Sequence, residues 1–438
     1  MFPIRHLGAV RWVHVPEPGL GLVHLAVLIE GGAGLDPPGL EGLADLAGAM
    51  LIRGTRRRTH RRILARIADL GASIETRTTH DGILLIGEVM PRHLDPFLDV
   101  ITDCLGSSRV PEAAFRREKA LSLEDLVARR EDDGDLAWHF FHRLAWQGHP
   151  LERPTSGWLD SVERIRADHC RDFLRDRVHR GHLVVGLAGD LDEASTEAAV
   201  ARIAEALPDG NRDVPTLPPP PDRRGLRLLV VDKPGRSQVQ MVIGHPTIGW
   251  NDPDLPALLV ANTMIGGTWN SRLNQEIREV RGWSYGVHSS ITAGREVGAF
   301  AVHFFPQMRD LRPALDLTMD LLCQVADQGL SEEEVAFGED ILVNQFPLLL
   351  ATAQDRLEEA LANLHYGRPA DYLDRFPERV RSLDARDIAR VLARHLRPRD
   401  LAIALVAPAR QVLPLVRDLP GLVSLQVVPH DQDRLPTG

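Results

Sequence analysis

The fold of this chain is decided by residues 271–287, SRLNQEIREVRGWSYGV. The first part predicts an amphipathic helix, because Leu273, Ile277 and Val280 recur at the spacing of one helix face. Gly282 is expected to end this helix, since glycine tolerates the left-handed dihedrals of a helix C-terminus. The residues from Tyr285 onward predict a strand. The stretch therefore combines a helix, a stop and a strand entry.

Arg278 lies one turn before this stop and Tyr285 lies just after it, so the turn is expected to bring both side chains to one surface. A guanidinium offers five N–H donors and a phenol one O–H donor, a combination that suits a peptide carbonyl or a carboxylate. The alternative is that Arg278 is a solvated helix residue and Tyr285 packs on a strand face. The stretch alone leaves both interpretations open.

Composition limits the possible classes of protein. A chain of 438 residues is too long for one core and predicts two to four domains, and its 44% hydrophobic and 26% charged residues are ordinary for a globular protein. The formal charge of −10 argues against nucleic acid or anionic membrane as a partner. The densest basic run, residues 53–62, lacks interleaved aromatic residues and predicts a solvated loop and helix start.

Targeting and membrane signals are weak in this sequence. No segment reaches the roughly 18 uninterrupted apolar residues of a membrane span. A strand-like segment at residues 10–15 follows the N-terminus so closely that no apolar core of a signal peptide precedes it. We therefore expect a cytoplasmic protein, or a periplasmic one if the chain is an already processed form.

The order of predicted elements repeats after a proline-rich stretch, residues 215–221 (PTLPPPP), which is typical of a semi-rigid linker. The segment MLIRGT at 50–55 resembles TMIGGT at 263–268, about half a chain length further on. Such a repeat indicates duplication of a whole α+β domain. We predict two homologous halves, each an α/β sandwich with a mainly antiparallel sheet, that form a clam-shell. The expected bounds are 1–214, a linker at 215–225, and 226–438.

Several phrases together resemble a known family over essentially the full length. They are Gly42-Leu43-Ala44, the segment at 50–55, the loop Gly148-His149-Pro150-Leu151, and the segment from Arg278 to Tyr285. In these sequence segments the chain resembles the pitrilysin/insulinase-type metallopeptidases, the inverted zincins. Within that family it is most similar to the small two-chain bacterial enzymes related to the mitochondrial processing peptidase.

The resemblance implies an HxxEH motif on the first helix, in which two His bind Zn²⁺ and the Glu activates its water. Here Asp45 takes the first His position, Gly48 the position of the base and Ala49 the second His position. The third-ligand position falls at Asp125. Two lone carboxylates without an imidazole make a poor zinc site. We therefore expect no metal or other cofactor in this chain, and no peptide hydrolysis by the chain alone.

A substitute metal site is not evident elsewhere in the sequence. His139 and His142 lie three residues apart on a predicted helix, but no third ligand is in register, so helix surface or packing is the simpler interpretation. We find neither a Gly-x-Ser-x-Gly elbow nor a Walker loop.

In the two-chain members of this family, one chain holds zinc and the other supplies an Arg and a Tyr seven residues apart. Arg278 and Tyr285 match those positions, which implies a substrate-binding subunit whose HxxEH partner provides the zinc. The substrate would be a peptide. The resemblance leaves open a pair that processes a precursor peptide, as in pyrroloquinoline quinone biosynthesis, and general degradation of oligopeptides. A rival interpretation is a structural or assembly subunit resembling the respiratory-complex core proteins, and a third is a solitary peptide-binding protein.

Overall fold

A computed structural model describes residues 2–433 of the chain. Twelve strands in this range form two six-stranded sheets. The strands of the first sheet are β1 (Arg5–Leu7), β2 (Val10–Pro16), β3 (Val23–Glu30), β4 (Ser73–Thr78), β5 (Gly82–Val89) and β6 (Leu183–Gly189). Those of the second are β7 (Leu226–Asp232), β8 (Gln240–Ile248), β9 (Val287–Ala293), β10 (Val297–Phe304), β11 (Ala402–Ala407) and β12 (Leu422–Pro429).

The α-helices fall between the strands in both sequence halves. The first half contains α1 (Leu43–Met50), α2 (His60–Asp69), α3 (Leu94–Ser107), α4 (Glu112–Ala128), α5 (Asp133–Ala145), α6 (Leu159–Arg164), α7 (Ala167–Arg177) and α8 (Glu193–Glu205). The second contains α9 (Leu255–Asn262), α10 (Leu311–Gln328), α11 (Glu332–Leu349), α12 (Ala353–Tyr366), α13 (Tyr372–Arg381), α14 (Ala385–His395) and α15 (Ala409–Val416). Two π-helical segments, Thr263–Gly267 and Asn274–Val280, follow α9.

The two sheets share one strand order. The first sheet runs β1-β2-β6-β3-β5-β4 and the second runs β12-β7-β11-β8-β10-β9. If strands are counted from β2 in the first sheet and from β7 in the second, both sheets place them in the order first, fifth, second, fourth, third. Seven of the ten strand pairs are antiparallel. The predicted class, a duplicated α+β domain with a mainly antiparallel sheet, is confirmed.

The chain forms two compact units, and each is discontinuous in sequence. Unit 1 comprises residues 1–126, 153–217 and 347–374, and unit 2 comprises 127–152, 218–346 and 375–438. The expected bounds of 1–214 and 226–438 differ from these units at 127–152 and 347–374. Each of those two segments belongs to the unit built mainly from the other sequence half, a connection that periodicity along the chain does not reveal.

Both faces of the first sheet are covered. One face packs against α1, α2, α3, α7 and α8 in a large apolar core. On the other face, Leu357 and Leu361 of α12 pack against Val13 and Val184. Because both faces are buried, β3 and β6 are almost continuously apolar instead of alternating with polar residues.

The second sheet is covered on one face by α5. Phe140 and Phe141 of this helix, and Trp146 directly after it, pack against Val231 and Val242. All three aromatic side chains are buried. No helix among residues 2–433 is both long and apolar enough to cross a membrane.

Candidate functional site

The helix that carries Arg278 is π-helical over Asn274–Val280. Leu273 and Ile277 are buried as the spacing predicts, but the side chain of Val280 is 68% exposed. The predicted apolar stripe is therefore wrong at Val280, because the wider π-helical turn moves that residue away from the face of Ile277. The segment remains anchored to its unit by the two buried side chains.

The turn after this helix holds Tyr285 in a loop. Gly282 takes a left-handed φ of 64°, as expected for the residue that ends a helix. β9 begins at Val287, so the prediction that the strand starts at Tyr285 is wrong. The hydroxyl of Ser284 donates to the carbonyl of Gly286 at 2.8 Å and shapes the backbone into a turn before the strand.

Asn274 connects the pieces of this site. Its buried amide donates to the carbonyl of Thr268 at 2.9 Å and to that of Val287 at 2.7 Å. Its side-chain oxygen accepts from the backbone N–H of Val287 at 3.4 Å. One side chain therefore fixes the positions of the helix, the loop that precedes it and the start of β9.

The structure places Arg278 between two exposed aromatic rings. Its guanidinium carbon lies 4.1 Å from the ring centroid of Trp269 and 5.4 Å from that of Tyr285. Trp269 is 64% exposed and Tyr285 is 78% exposed. The acidic neighbour of Arg278 is Glu279, whose carboxylate lies 3.5 Å from Nε. We call Trp269, Arg278 and Tyr285 the Trp–Arg–Tyr cluster.

A cavity of about 570 Å³ lies beside this cluster within unit 2. Its walls include Trp269, Asn274 and two histidines, His288 and His303. Burial, together with the charge of His288, lowers the pKa of His303, so its imidazole is neutral at pH 7. Its Nε2 lies 3.0 Å from the side-chain oxygen of Gln240. The cluster therefore adjoins a mixed polar and apolar recess that has room for a side chain.

The positions of the expected zinc motif lie on α1, in unit 1. Asp45 is partly buried there, but the other two positions, Gly48 and Ala49, offer no ligand atom. A Cβ at Gly48 would lie 3.0 Å from Ile83 and 3.0 Å from Thr78, so the neighbouring strands close over the place of the missing side chain. Asp125 is exposed on α4. One carboxylate on the helix does not fit a zinc ion, which takes three protein ligands at catalytic sites.

One other group of potential ligands converges within residues 2–433, formed by Asp252, Asp254 and His395. Asp254 already accepts from His395 at 2.9 Å and pairs with Arg390 at 3.6 Å and Arg394 at 3.4 Å. Its carboxylate is thus balanced by neighbouring cations, and we interpret the group as an ion-pair network.

Trp269 was not singled out in the sequence, although it completes the cluster around Arg278. A usable signal was present, because a large aromatic residue directly follows the Gly-Gly-Thr segment at 266–268. His288 and His303 gave no such signal, since they line the cavity only through the pairing of β9 with β10, where they lie opposite each other.

Comparison with known proteins identifies the family. The model described as insulinase (peptidase family M16) matches residues 18–157, and the model described as peptidase M16 inactive domain matches residues 164–340. Together the two matched ranges cover well over half of the chain. The chain belongs to the peptidase M16, or insulinase, family, and residues 164–340 match the domain that this family's models describe as inactive.

Individual relatives agree with this assignment. An uncharacterised zinc protease of Streptomyces coelicolor is 28% identical over 75% of this chain and 72% of its own length. A probable mitochondrial-processing peptidase subunit beta of Arabidopsis thaliana is 22% identical over 90% of this chain and 75% of its own. A crystal structure of a peptidase M16 inactive domain from Pseudomonas fluorescens has a TM-score of 0.87 at 22% identity, covering 93% of this chain and 98% of its own.

Proposed function

We propose that this chain is the substrate-binding subunit of a two-chain zinc peptidase. A separate HxxEH chain would hold the zinc and the general base, and this chain would supply Arg278 and Tyr285 to the peptide bound near that metal. The zinc-motif positions of this chain support such a division of labour, because only one of the three on α1 retains a possible ligand.

The single observation that carries the proposal is the Trp–Arg–Tyr cluster. The guanidinium of Arg278 lies between two exposed rings, its side chain is 28% exposed, and its ion pair with Glu279 is made through Nε, which leaves the terminal N–H groups for a ligand. Such a fixed guanidinium, with the phenol of Tyr285 5.4 Å away, suits the carbonyl oxygen of a peptide bond. Both groups would stabilise the negative charge that develops when water attacks that carbonyl.

The position of Tyr285 also fits a peptide substrate. It lies two residues before β9, which is an edge strand of the second sheet in the described part of the chain. An edge strand has unpaired backbone groups, and a peptide can add to it as a further strand with little demand on its sequence. The adjacent cavity of about 570 Å³ would then receive one substrate side chain.

The experiment is peptide hydrolysis by the chain co-expressed with an HxxEH chain encoded beside it, compared with each chain alone. We expect hydrolysis by the mixture, abolished by a chelator, and none by this chain alone. Chelator-sensitive hydrolysis by this chain alone contradicts the proposal. A stable complex whose hydrolysis matches that of the HxxEH chain alone identifies a structural subunit instead.

A further inference from the structure

A second cavity, of about 320 Å³, opens in unit 2 away from the Trp–Arg–Tyr cluster. It is lined by the second part of the linker at 215–225, by the start of β7, by the end of β8, by the start of β10 and by the turn between α14 and β11. Three arginines line it, namely Arg223, Arg227 and Arg397, together with three acids, Asp222, Glu296 and Asp400. The distribution of ion pairs among these groups decides what the cavity binds.

Arg227 is the most deeply buried of these charges, with only 6% of its surface exposed. Its Nη1 donates to the carbonyl of Leu144 at 2.7 Å, at the C-terminal end of α5. Its Nε is buried and has no hydrogen-bond acceptor among residues 2–433. Burial and the nearby charge of Arg223 lower its pKa to about 10, which leaves the side chain charged at pH 7.

Arg223 is in a similar position. Its Nη2 donates to the carbonyl of Gln147 at 2.7 Å, while its buried Nε lacks an acceptor in the described part of the chain. These contacts, at the end of α5 and two residues beyond it, use one donor group of each arginine. A guanidinium has five N–H donors, so most of the hydrogen-bonding capacity of both side chains is left over.

The acids of the cavity do not balance these two arginines. Asp222 pairs with Arg224 at 3.0 Å and with Arg397 at 3.1 Å. Asp400 pairs with Arg224 at 3.2 Å and accepts from the backbone N–H of Gly225 at 2.8 Å. Glu296 is exposed. Neither Arg223 nor Arg227 forms an ion pair with any carboxylate within residues 2–433.

His245, which also lines the cavity, adds no acceptor for the two arginines. His245 is buried, and burial lowers its pKa to about 4, so it is neutral at pH 7. Its Nε2 accepts from the backbone N–H of Arg397 at 3.1 Å, and its Nδ1 lies 2.9 Å from the carbonyl of Pro246. Both ring nitrogens of His245 are therefore used within the protein.

We propose that this cavity binds a small oxyanion, a phosphate or carboxylate group of a metabolite, through Arg223 and Arg227. Two neighbouring guanidinium groups repel each other, and a buried charge without a partner is costly, so an anion between them removes both penalties. Forked N–H donors match the oxygen atoms of phosphate and carboxylate groups. The cavity volume is at the lower end of the range for small-molecule sites.

The test is isothermal titration calorimetry of the full chain with inorganic phosphate and, separately, with acetate, in chloride buffer of constant ionic strength. We expect a binding isotherm for the preferred anion, weakened about 10- to 100-fold by Arg227→Gln and by Arg223→Gln, because each removes a charge-assisted hydrogen-bond donor. Arg410→Gln is the matched control, since Arg410 is exposed on α15 away from the cavity, and it should bind as the wild type does.

The preferred anion distinguishes the two ligand chemistries, since phosphate binding indicates a phosphorylated ligand and acetate binding a carboxylate. If Arg227→Gln does not fold, Arg223→Gln, which alters a less buried side chain, decides the question. The proposal is overturned if neither anion binds the wild type, or if a folded Arg223→Gln variant binds as tightly as the wild type. Arg278→Ala should leave anion binding unchanged, so this result is independent of the peptidase proposal.

Discussion

The guanidinium carbon of Arg278 lies 4.1 Å from the ring centroid of Trp269, a residue nine positions earlier on the preceding loop. A cation over the face of a tryptophan gains about 0.5–2 kcal/mol, depending on its exposure. The contact holds the side chain of Arg278 in one orientation next to Tyr285. Trp269 therefore fixes the orientation of Arg278 that the proposed contact with a substrate requires.

Trp269→Ala should lower kcat/KM of the reconstituted complex by about 2- to 30-fold, the equivalent of losing this cation–π contact. The effect should be smaller than that of Arg278→Ala, because the guanidinium remains present but loses its fixed orientation. Steady-state kinetics on one fluorogenic peptide measures it. Trp283→Ala is the matched control, since that ring stacks with Arg281 instead. Equal losses in both variants would show that Trp269 has no special role.

Asn274→Leu should destabilise the chain by roughly 1–3 kcal/mol, because three backbone groups around the buried amide lose their partner. It should also release the loop that bears Tyr285. Urea denaturation followed by circular dichroism measures the free energy of unfolding. Asn270→Ala, at an exposed position four residues earlier, should change it by less than about 0.5 kcal/mol. An unchanged midpoint for Asn274→Leu would contradict the central role of this side chain.

The sequence predicted the duplicated fold and the neighbourhood of Arg278 because both depend on local signals, such as hydrophobic spacing and a glycine stop. It did not predict that Val280 is exposed, since helix type depends on hydrogen bonds that a spacing of apolar residues does not encode. The sequence also did not show that α5 covers the second sheet and α12 the first, because tertiary packing determines which sheet a helix covers.

Unit 1 contains a buried carboxylate whose charge contributes to stability. Glu30 is fully buried, with Arg11 2.6 Å, Arg212 2.9 Å and His365 3.1 Å from its oxygens. Burial alone would raise the pKa of Glu30, but hydrogen bonds from His365 and Arg212 and the charge of Arg11 hold it well below the ordinary value of 4.5. The carboxylate therefore stays ionised in the folded state even at mildly acidic pH.

Glu30→Gln should cost about 3–5 kcal/mol near neutral pH, because it leaves buried cations without their partner. The lowered folded-state pKa means that this stability is complete above the unfolded value of 4.5 and is lost as the pH falls below it. The difference between wild type and variant should therefore shrink at about pH 3.5, which denaturant titrations at both pH values test. Glu75→Gln, on the exposed edge strand β4, is the control. A difference that grows at acidic pH would contradict this sign.

A chelator should leave the thermal unfolding midpoint of the isolated chain unchanged. The α1 motif offers one carboxylate where a catalytic zinc site needs three ligands, so no zinc is expected to stabilise the fold. Differential scanning calorimetry with and without the chelator, together with metal analysis of the purified chain, checks this expectation. Stoichiometric zinc and a midpoint lowered by the chelator would reveal a metal site that the α1 positions do not explain.

The site itself was only partly predictable. Arg278 and Tyr285 were found through their spacing and the family resemblance, and the structure places them side by side. The anion cavity was not predicted, because in the sequence Arg223 and Arg227 are only two charged residues near the end of a linker and the start of a strand. Whether their Nε atoms have an acceptor depends on the side chains that the fold places around them, which the sequence does not show.

The most direct test of the central claim is kcat/KM of the reconstituted two-chain enzyme with Arg278→Ala. Arg281→Ala is the control, since Arg281 lies three residues further on and pairs with Glu276. We predict a loss of about 10²–10³-fold for Arg278→Ala, typical of a removed donor to a developing oxyanion, and wild-type activity for Arg281→Ala. Full activity of the Arg278→Ala complex would contradict the claim that this chain supplies a substrate-binding group to its partner's zinc site.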